Sequence, residues 1–171
     1  MKRATMIGLY GGACCRKSTL AAAIFVEMKR RGLRVELVTE VAKDHVLDGQ
    51  PERLRDQLWM LAENMRRVER LRERCDYIVS DGPPLLGAAY CIPLDPIYRF
   101  TIEAARPEPQ DFSFLLRREH GWDQQGRVGD LDFAKRIDDH IAAIFDREGI
   151  PHYLAGSMDE KAIASHVTGA A

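Results

Sequence analysis

The stretch that decides the fold covers residues 4–32 and reads ATMIGLYGGACCRKSTLAAAIFVEMKRRG. Residues 4–10 form a short apolar run, which is typical of a buried strand. Gly11 and Gly12 then form a turn, and residues 18–31 form a helical segment that closes at Gly32. Basic residues occupy the last turn of this segment, where they suit the helix dipole. The order of strand, glycine turn and helix predicts the first unit of an α/β fold.

Strand-like and helix-like segments alternate along the rest of the chain. Further strands are predicted at residues 33–39, 77–80, 112–116 and 151–155. Helices are predicted at residues 51–75, 93–106 and 159–167, and an apolar face from Phe133 to Phe145 predicts one more. This alternation predicts a three-layer sandwich around a five-stranded parallel sheet. Such sheets bind ligands at the carboxyl ends of their strands, which here are Gly11 onward, Glu40, Asp81 and Arg117 onward.

Length and composition favour one domain over residues 1–171 and exclude several classes. The 25 Lys and Arg against 26 Asp and Glu give a net charge of -1, so a polyanion has to be bound locally. No apolar run reaches the roughly 18 residues of a spanning helix, and no cleavage pattern follows residues 4–10. We therefore expect a cytoplasmic protein without a membrane partner. Four cysteines and five histidines lack metal-site spacing, so neither a zinc site nor a disulfide framework is expected.

The turn itself matches the phosphate-binding P-loop pattern G-x-x-x-x-G-K-[ST], except that Arg16 replaces the second glycine. Backbone N–H groups in such a turn point inward and, with the positive end of the helix dipole, cradle phosphate oxygens. Lys17 would bridge the β- and γ-phosphates of ATP or GTP, and the Ser18 hydroxyl would hold Mg²⁺. An ordinary glycine-rich turn with a chance Lys-Ser pair is the alternative. The predicted nucleotide-binding residues are Gly11, Gly12, Ala13, Cys14, Cys15, Arg16, Lys17, Ser18 and Thr19.

Arg16 stands where glycine permits unusual backbone angles and a close phosphate. An arginine can still take helical angles, with its guanidinium either contacting the phosphates or projecting into solvent. The substitution also leaves open a binding module with an impaired nucleotide site. Cys14 and Cys15 lie near a helix N-terminus and cations, which lower a thiol pKa, although small loop residues are the simpler interpretation.

Two carboxylates follow strands beside this turn. Glu40 follows the second predicted strand, where a carboxylate can accept the proton of an attacking hydroxyl. A solvated acidic residue is the alternative, and Asp44 is expected to cap a helix. Asp81 ends the third strand, where P-loop proteins hold Mg²⁺ directly or through water. Asp-Gly-Pro-Pro at residues 81–84 also suits a simple turn.

Residues 117–129 form a polar stretch that is predicted to be an arginine-containing lid. Arg117, Arg118 and Arg127 could neutralise a transferring phosphoryl group while the lid excludes water. Ordinary exposed loop arginines are the alternative. Trp122 would either stack on a base or pin the lid. On the long helix, Gln57 could read a base edge. The many arginines of that helix are offset by acids, which predicts a solvated face with i,i+4 pairs.

These motifs together resemble phage-encoded P-loop kinases, including the 5-hydroxymethyluridine DNA kinases. The resemblance rests on residues 7–19, 36–44, 57–58, 77–83 and 126–127 with the helix at 137–138.

The resemblance implies a P-loop NTPase fold of the nucleoside and nucleotide kinase type. It implies transfer of the γ-phosphoryl group of ATP, with Mg²⁺, to the 5-hydroxymethyl group of 5-hydroxymethyluracil in phage DNA, in the infected bacterial cytoplasm. The implied catalytic residues are Lys17, Glu40, Asp81, Arg118 and Arg127, with Ser18 and Asp81 at the metal. A kinase of a free nucleoside, nucleotide or related small metabolite and a non-catalytic nucleotide-dependent module are the alternatives. The sequence sets no oligomeric state.

Overall fold

The computed structural model describes residues 3–93, 95–119, 121–123, 129–156 and 158–169. Five strands form its centre: β1 (Thr5–Tyr10), β2 (Val35–Val38), β3 (Tyr77–Ser80), β4 (Phe112–Leu116) and β5 (Tyr153–Ala155). All pairings are parallel, and the strand order is β2-β3-β1-β4-β5. The predicted five-stranded parallel sheet is confirmed.

Helices cover both faces of this sheet. They are α1 (Lys17–Arg30), α2 (Val41–Leu47), α3 (Gln57–Glu69), α4 (Pro96–Ala104), α5 (Leu131–Glu148) and α6 (Glu160–Thr168), with 3-10 helices at Pro51–Arg55 and Pro84–Tyr90. One core packs α1 and α6 on the sheet, and a second packs α3, α4, α5 and the Pro84–Tyr90 segment. Among the described residues, none of these helices combines the length and apolarity needed to span a membrane.

The strand register brings the predicted ligand-binding ends to one edge. In the centre, Ile7 of β1 lies opposite Val79 of β3 and Phe112 of β4. Every residue of β1 is buried, as its apolar sequence predicts for a strand covered on both faces. The chain therefore leaves β1, β3 and β4 at the same side of the sheet, where residues 11, 81 and 117 follow.

The helix predicted at residues 51–75 is divided into shorter elements. A 3-10 helix spans Pro51–Arg55, and the Asp56 side chain then accepts a 3.0 Å hydrogen bond from the Trp59 amide to start α3. The apolar stripe continues across this break, although Leu58 is 50% exposed. Periodicity alone therefore predicted one helix where an N-cap starts a new one.

Two side chains near this helix differ from their predicted roles. Asp44 lies inside α2 instead of capping a helix, and its carboxylate pairs with Arg67 at 2.9 Å. Arg72, expected on a solvated face, is buried at 4% exposure and makes two 2.8 Å bonds to Asp111. Asp111 also accepts the Met6 amide at 2.8 Å. This ion pair joins the chain after α3 to β1 and to the start of β4.

Candidate active site

The turn at residues 11–19 connects β1 to α1 and encloses the Lys17 side chain. Lys17 is only 7% exposed, and its Nζ donates to the carbonyl oxygens of Gly11 at 2.8 Å and Gly12 at 3.0 Å. Because α1 begins at Lys17, its first backbone amides have no partner within the helix and can bind an anion. Ser18 and Thr19 line the cleft beside these amides.

Arg16 does not take right-handed helical angles. Its φ of 58° and ψ of 27° place it in the left-handed region, which glycine enters without a steric penalty. Cys14 also has a positive φ, of 65°. The turn therefore has a glycine-like backbone at residue 16, and the arginine side chain is exposed at the cleft.

A carboxylate from α5 holds this turn in place. Asp138 Oδ1 accepts the Gly12 amide at 2.6 Å, and Oδ2 accepts Arg118 Nε at 2.8 Å. Arg118 Nη1 in turn donates to the Ala13 carbonyl at 2.8 Å. A Cβ atom at residue 12 would collide with the Ala134 carbonyl oxygen, so only glycine allows α5 to approach this closely. The role of Asp138 was not predicted, because one acidic residue on an amphipathic helix looks like part of its solvated face.

The two cysteines of the turn fit the structural interpretation. Cys15 is buried, and burial raises the pKa of its thiol to about 11, with the Asp138 carboxylate adding to the effect. The Cys14 thiol donates to the Asp123 carbonyl at 3.3 Å. A lowered thiol pKa, considered from the sequence, does not occur at Cys15.

Asp81 and Glu40 lie together at the ends of β3 and β2. Asp81 is 2% exposed, and its Oδ1 accepts the Glu40 amide at 2.7 Å. A Cβ atom at residue 82 would lie 2.8 Å from the Cα of Glu40, so Gly82 is required for this close approach. The half-buried Glu40 itself lines the cleft. Asp81 therefore positions the segment that carries Glu40.

One cleft of about 1210 Å³ joins these parts. Residues 13–19 line it, and so do Glu40, Gln57 and Asn64. The Gln57 Nε2 group donates to the Leu54 carbonyl at 2.6 Å, which fixes the orientation of that amide. Asn64 was not singled out from the sequence, because a polar residue within a helix carries no signal that it faces inward.

The predicted lid lies partly within the described residues. The exposed Arg117 donates its amide to the Ala155 carbonyl at 3.0 Å, whereas Arg118 reaches the turn. Trp122 is half-buried and lines the cleft. Arg127 lies outside the described residues.

The oxygen donors of the cleft fit a magnesium ion. Among the residues that the structure describes, no group of three or more His, Cys, Asp or Glu forms a metal cage. Magnesium, however, commonly takes only one or two protein oxygens and completes its shell with water and phosphate. The Ser18 hydroxyl and the Glu40 carboxylate line the cleft, and Asp81 adjoins Glu40.

The turn that matches the P-loop pattern follows the central strand of this five-stranded parallel sheet, and the chain has a P-loop NTPase fold like that of nucleoside and nucleotide kinases. The chain belongs to the AAA domain family, which matches residues 6–161.

Solved structures share this fold. A structure of deoxyadenosine kinase from M. mycoides with bound dATP has a TM-score of 0.60 at 14% identity, covering 96% of this chain and 98% of that chain. A thymidylate kinase from Ehrlichia chaffeensis has a TM-score of 0.63 at 13% identity, covering 98% of each chain. No curated protein sequence matches the chain significantly.

Proposed function

We propose that the protein is an ATP- and Mg²⁺-dependent kinase that phosphorylates a hydroxyl group of a nucleoside unit. The observation that carries this proposal is that residues 13–19 and Glu40 line one cleft of about 1210 Å³. Pockets for one drug-sized ligand are about 300–1,000 Å³, so this cleft has room for a donor and an acceptor. The similar structures are those of a deoxyadenosine kinase and a thymidylate kinase, which supports this reaction class.

The chain's own residues divide the work of phosphoryl transfer. The amides of the turn and Lys17 would bind the triphosphate, and Lys17 Nζ would exchange the carbonyls of Gly11 and Gly12 for phosphate oxygens. Arg118 and Arg127 would neutralise charge as residues 117–129 close over the nucleotide.

On the acceptor side, Glu40 would take the hydroxyl proton as the new P–O bond forms and the bond to the leaving ADP breaks. A magnesium ion supplies further charge neutralisation when it is bound. Ser18 would hold it, with Asp81 acting through water and keeping Glu40 in place through the 2.7 Å bond to the Glu40 amide.

The acceptor that we favour is 5-hydroxymethyluracil in DNA. The motif resemblance supports it, and so do cations around the cleft: Lys43 and Arg55 line the cleft, and Arg53 is exposed in the same 3-10 helix as Arg55. Such residues can bind the phosphates of a strand locally, as the net charge of -1 requires. A base in a duplex would have to be flipped into the cleft. A free nucleoside or nucleotide is the second candidate, favoured by the near-complete structural match to two kinases of small substrates.

Labelled phosphate transfer tests this proposal. The protein is incubated with γ-labelled ATP, Mg²⁺ and a panel of unmodified DNA, hydroxymethylated DNA, free nucleosides and nucleotides. We expect label on the hydroxymethylated DNA and a loss of about 10²- to 10³-fold in Lys17→Ala, because transition-state charge loses its ammonium. Acceptor-independent phosphate release without a labelled product would contradict the kinase assignment. Normal turnover of Lys17→Ala would contradict the role given to Lys17.

A pair of surface variants separates the two acceptor classes. The double variant Arg53→Ala, Arg55→Ala should reduce transfer to DNA and its salt dependence but leave transfer to a free nucleoside intact. Arg30→Ala, which removes an exposed cation on α1, is the matched control and should change neither. Equal activity of the double variant on DNA would favour the small-molecule acceptor.

A further inference from the structure

Asn64 on α3 carries a buried carboxamide oxygen on the wall of the cleft. The residue is 7% exposed and lines the cleft, and its carboxamide oxygen has no hydrogen-bond partner among the described residues. Buried side-chain polar atoms are nearly always hydrogen-bonded, because burial removes the bonds they make with water. An unpaired carboxamide oxygen on a cleft wall therefore indicates a ligand group that donates a hydrogen bond to it.

The surroundings of Asn64 define the chemistry of that group. Met60, one turn earlier on the same helix, is buried and lines the cleft, as does Leu86. Arg67, which lies three residues further along α3, is already bonded to Glu63 at 3.0 Å and Asp44 at 2.9 Å. The Gln57 amide earlier on α3 already donates to the Leu54 carbonyl. The neutral Asn64 amide beside apolar side chains suits a flat, uncharged ring with a polar edge and not a phosphate.

We propose that Asn64 is a specificity-determining residue of the acceptor site, where it reads the imide edge of a uracil-type ring. This inference rests on the proposed function. The Asn64 oxygen accepts the ring N3–H, and its amide N–H₂ donates to the adjacent ring carbonyl, a complementary pair side by side. Met60 and Leu86 provide apolar contact for the ring. A carboxamide can also pair with the amino and ring-nitrogen edge of adenine or cytosine, so the choice of uracil comes from the acceptor that we propose above.

Methylation at N3 of the acceptor tests this contact. The probes are 5-hydroxymethyl-2′-deoxyuridine and its N3-methyl derivative, each as a free nucleoside and within a single-stranded oligonucleotide. Transfer rates and calorimetric binding are measured for the wild type, Asn64→Leu and Asn64's matched control Met65→Leu, which changes the neighbouring residue outside the cleft. We expect the wild type to disfavour the methylated probe by about 10- to 100-fold in kcat/KM.

The variants should separate recognition from packing. In Asn64→Leu the ratio of kcat/KM for the unmethylated probe to kcat/KM for the N3-methyl probe should fall to about one. Met65→Leu should keep the wild-type ratio. The KM for ATP should stay within about threefold in both variants, because neither change touches the turn. The Tm of Asn64→Leu should equal or exceed that of the wild type, since an apolar replacement removes an unpaired polar group.

These measurements test the kinase assignment and the role of Asn64 separately. Transfer with equal discrimination in the wild type and Asn64→Leu would keep the kinase and overturn the role of Asn64, as would a lower Tm with weaker ATP binding. Asn64-dependent binding of the unmethylated probe without any transfer would support Asn64 and overturn the kinase. If the protein neither binds the probes nor transfers phosphate to them, both the kinase assignment and the role of Asn64 are overturned.

Discussion

Replacing Arg16 by glycine tests how the turn accommodates an arginine at this position. Arg16 has a φ of 58°, and its side chain is exposed. The backbone is thus already in the shape that a glycine would give it. The arginine should therefore cost stability through its Cβ atom but leave the phosphate-binding amides in place.

The size of the effect follows from two opposing contributions. A left-handed conformation costs an L-residue about 1–2 kcal/mol, and glycine relieves this cost. Glycine also gives the unfolded chain more freedom, which costs about 0.5–1 kcal/mol. The free energy of unfolding of Arg16→Gly should rise by about 0.5 kcal/mol, which corresponds to a Tm increase of about 1–2 °C for a chain of this size.

Calorimetry on Arg16→Gly and Arg16→Ala provides the assay. Arg16→Ala keeps the Cβ atom and the strained backbone, so its Tm should not rise. The Kd values of the two variants for ATP should agree within about threefold, because the cradle has the same backbone in each. Equal Tm gains in both variants would refute strain relief. A tenfold tighter Kd in Arg16→Gly than in Arg16→Ala would refute the preformed cradle.

Three further predictions concern positions around this turn. Gly82→Ala places a Cβ atom 2.8 Å from the Glu40 Cα and should displace Glu40. The kcat should therefore fall by about 10- to 100-fold, while the Kd for ATP stays within about threefold. An unchanged kcat would show that Glu40 needs no fixed position. Arg72→Met leaves the Asp111 carboxylate buried without its cation. The free energy of unfolding should fall by about 3–5 kcal/mol and the Tm by roughly 10 °C, with ATP binding retained. A decrease below about 1 kcal/mol in denaturant unfolding would contradict a stabilising role of this ion pair. Burial raises the pKa of the Cys15 thiol to about 11, so its reactive thiolate is scarce at pH 8. Iodoacetamide should therefore modify Cys15 far more slowly in the folded protein than in the urea-unfolded protein, as followed by mass spectrometry. Equal modification rates would contradict the burial of Cys15.

The sheet and its ligand edge could be predicted from the sequence because both depend on local patterns. Apolar runs bounded by glycine or polar turns mark the strands, and parallel strands place their carboxyl ends together. The turn at residues 11–19 and Glu40 could be located for the same reason. The helix boundaries were harder, since the Asp56 cap lies within an uninterrupted apolar stripe and α2 at Val41–Leu47 is too short to show a clear period.

The residues that the sequence did not reveal act through long-range contacts. Asp138 lies 126 positions from the Gly12 amide that it holds, and Arg72 lies 39 positions from Asp111. Asn64 differs from a surface asparagine only in the direction in which α3 faces. Such roles depend on tertiary packing, which local propensity and charge spacing do not encode.

A crystal structure with a non-hydrolysable ATP analogue and Mg²⁺ would show whether the turn at residues 11–19 binds the nucleotide. We expect triphosphate oxygens within hydrogen-bond distance of the amides of residues 13–19. We also expect Lys17 Nζ to leave the Gly11 and Gly12 carbonyls, to which it now donates at 2.8 and 3.0 Å, for the phosphates. A nucleotide bound outside this turn, with Lys17 still on those carbonyls, would contradict it.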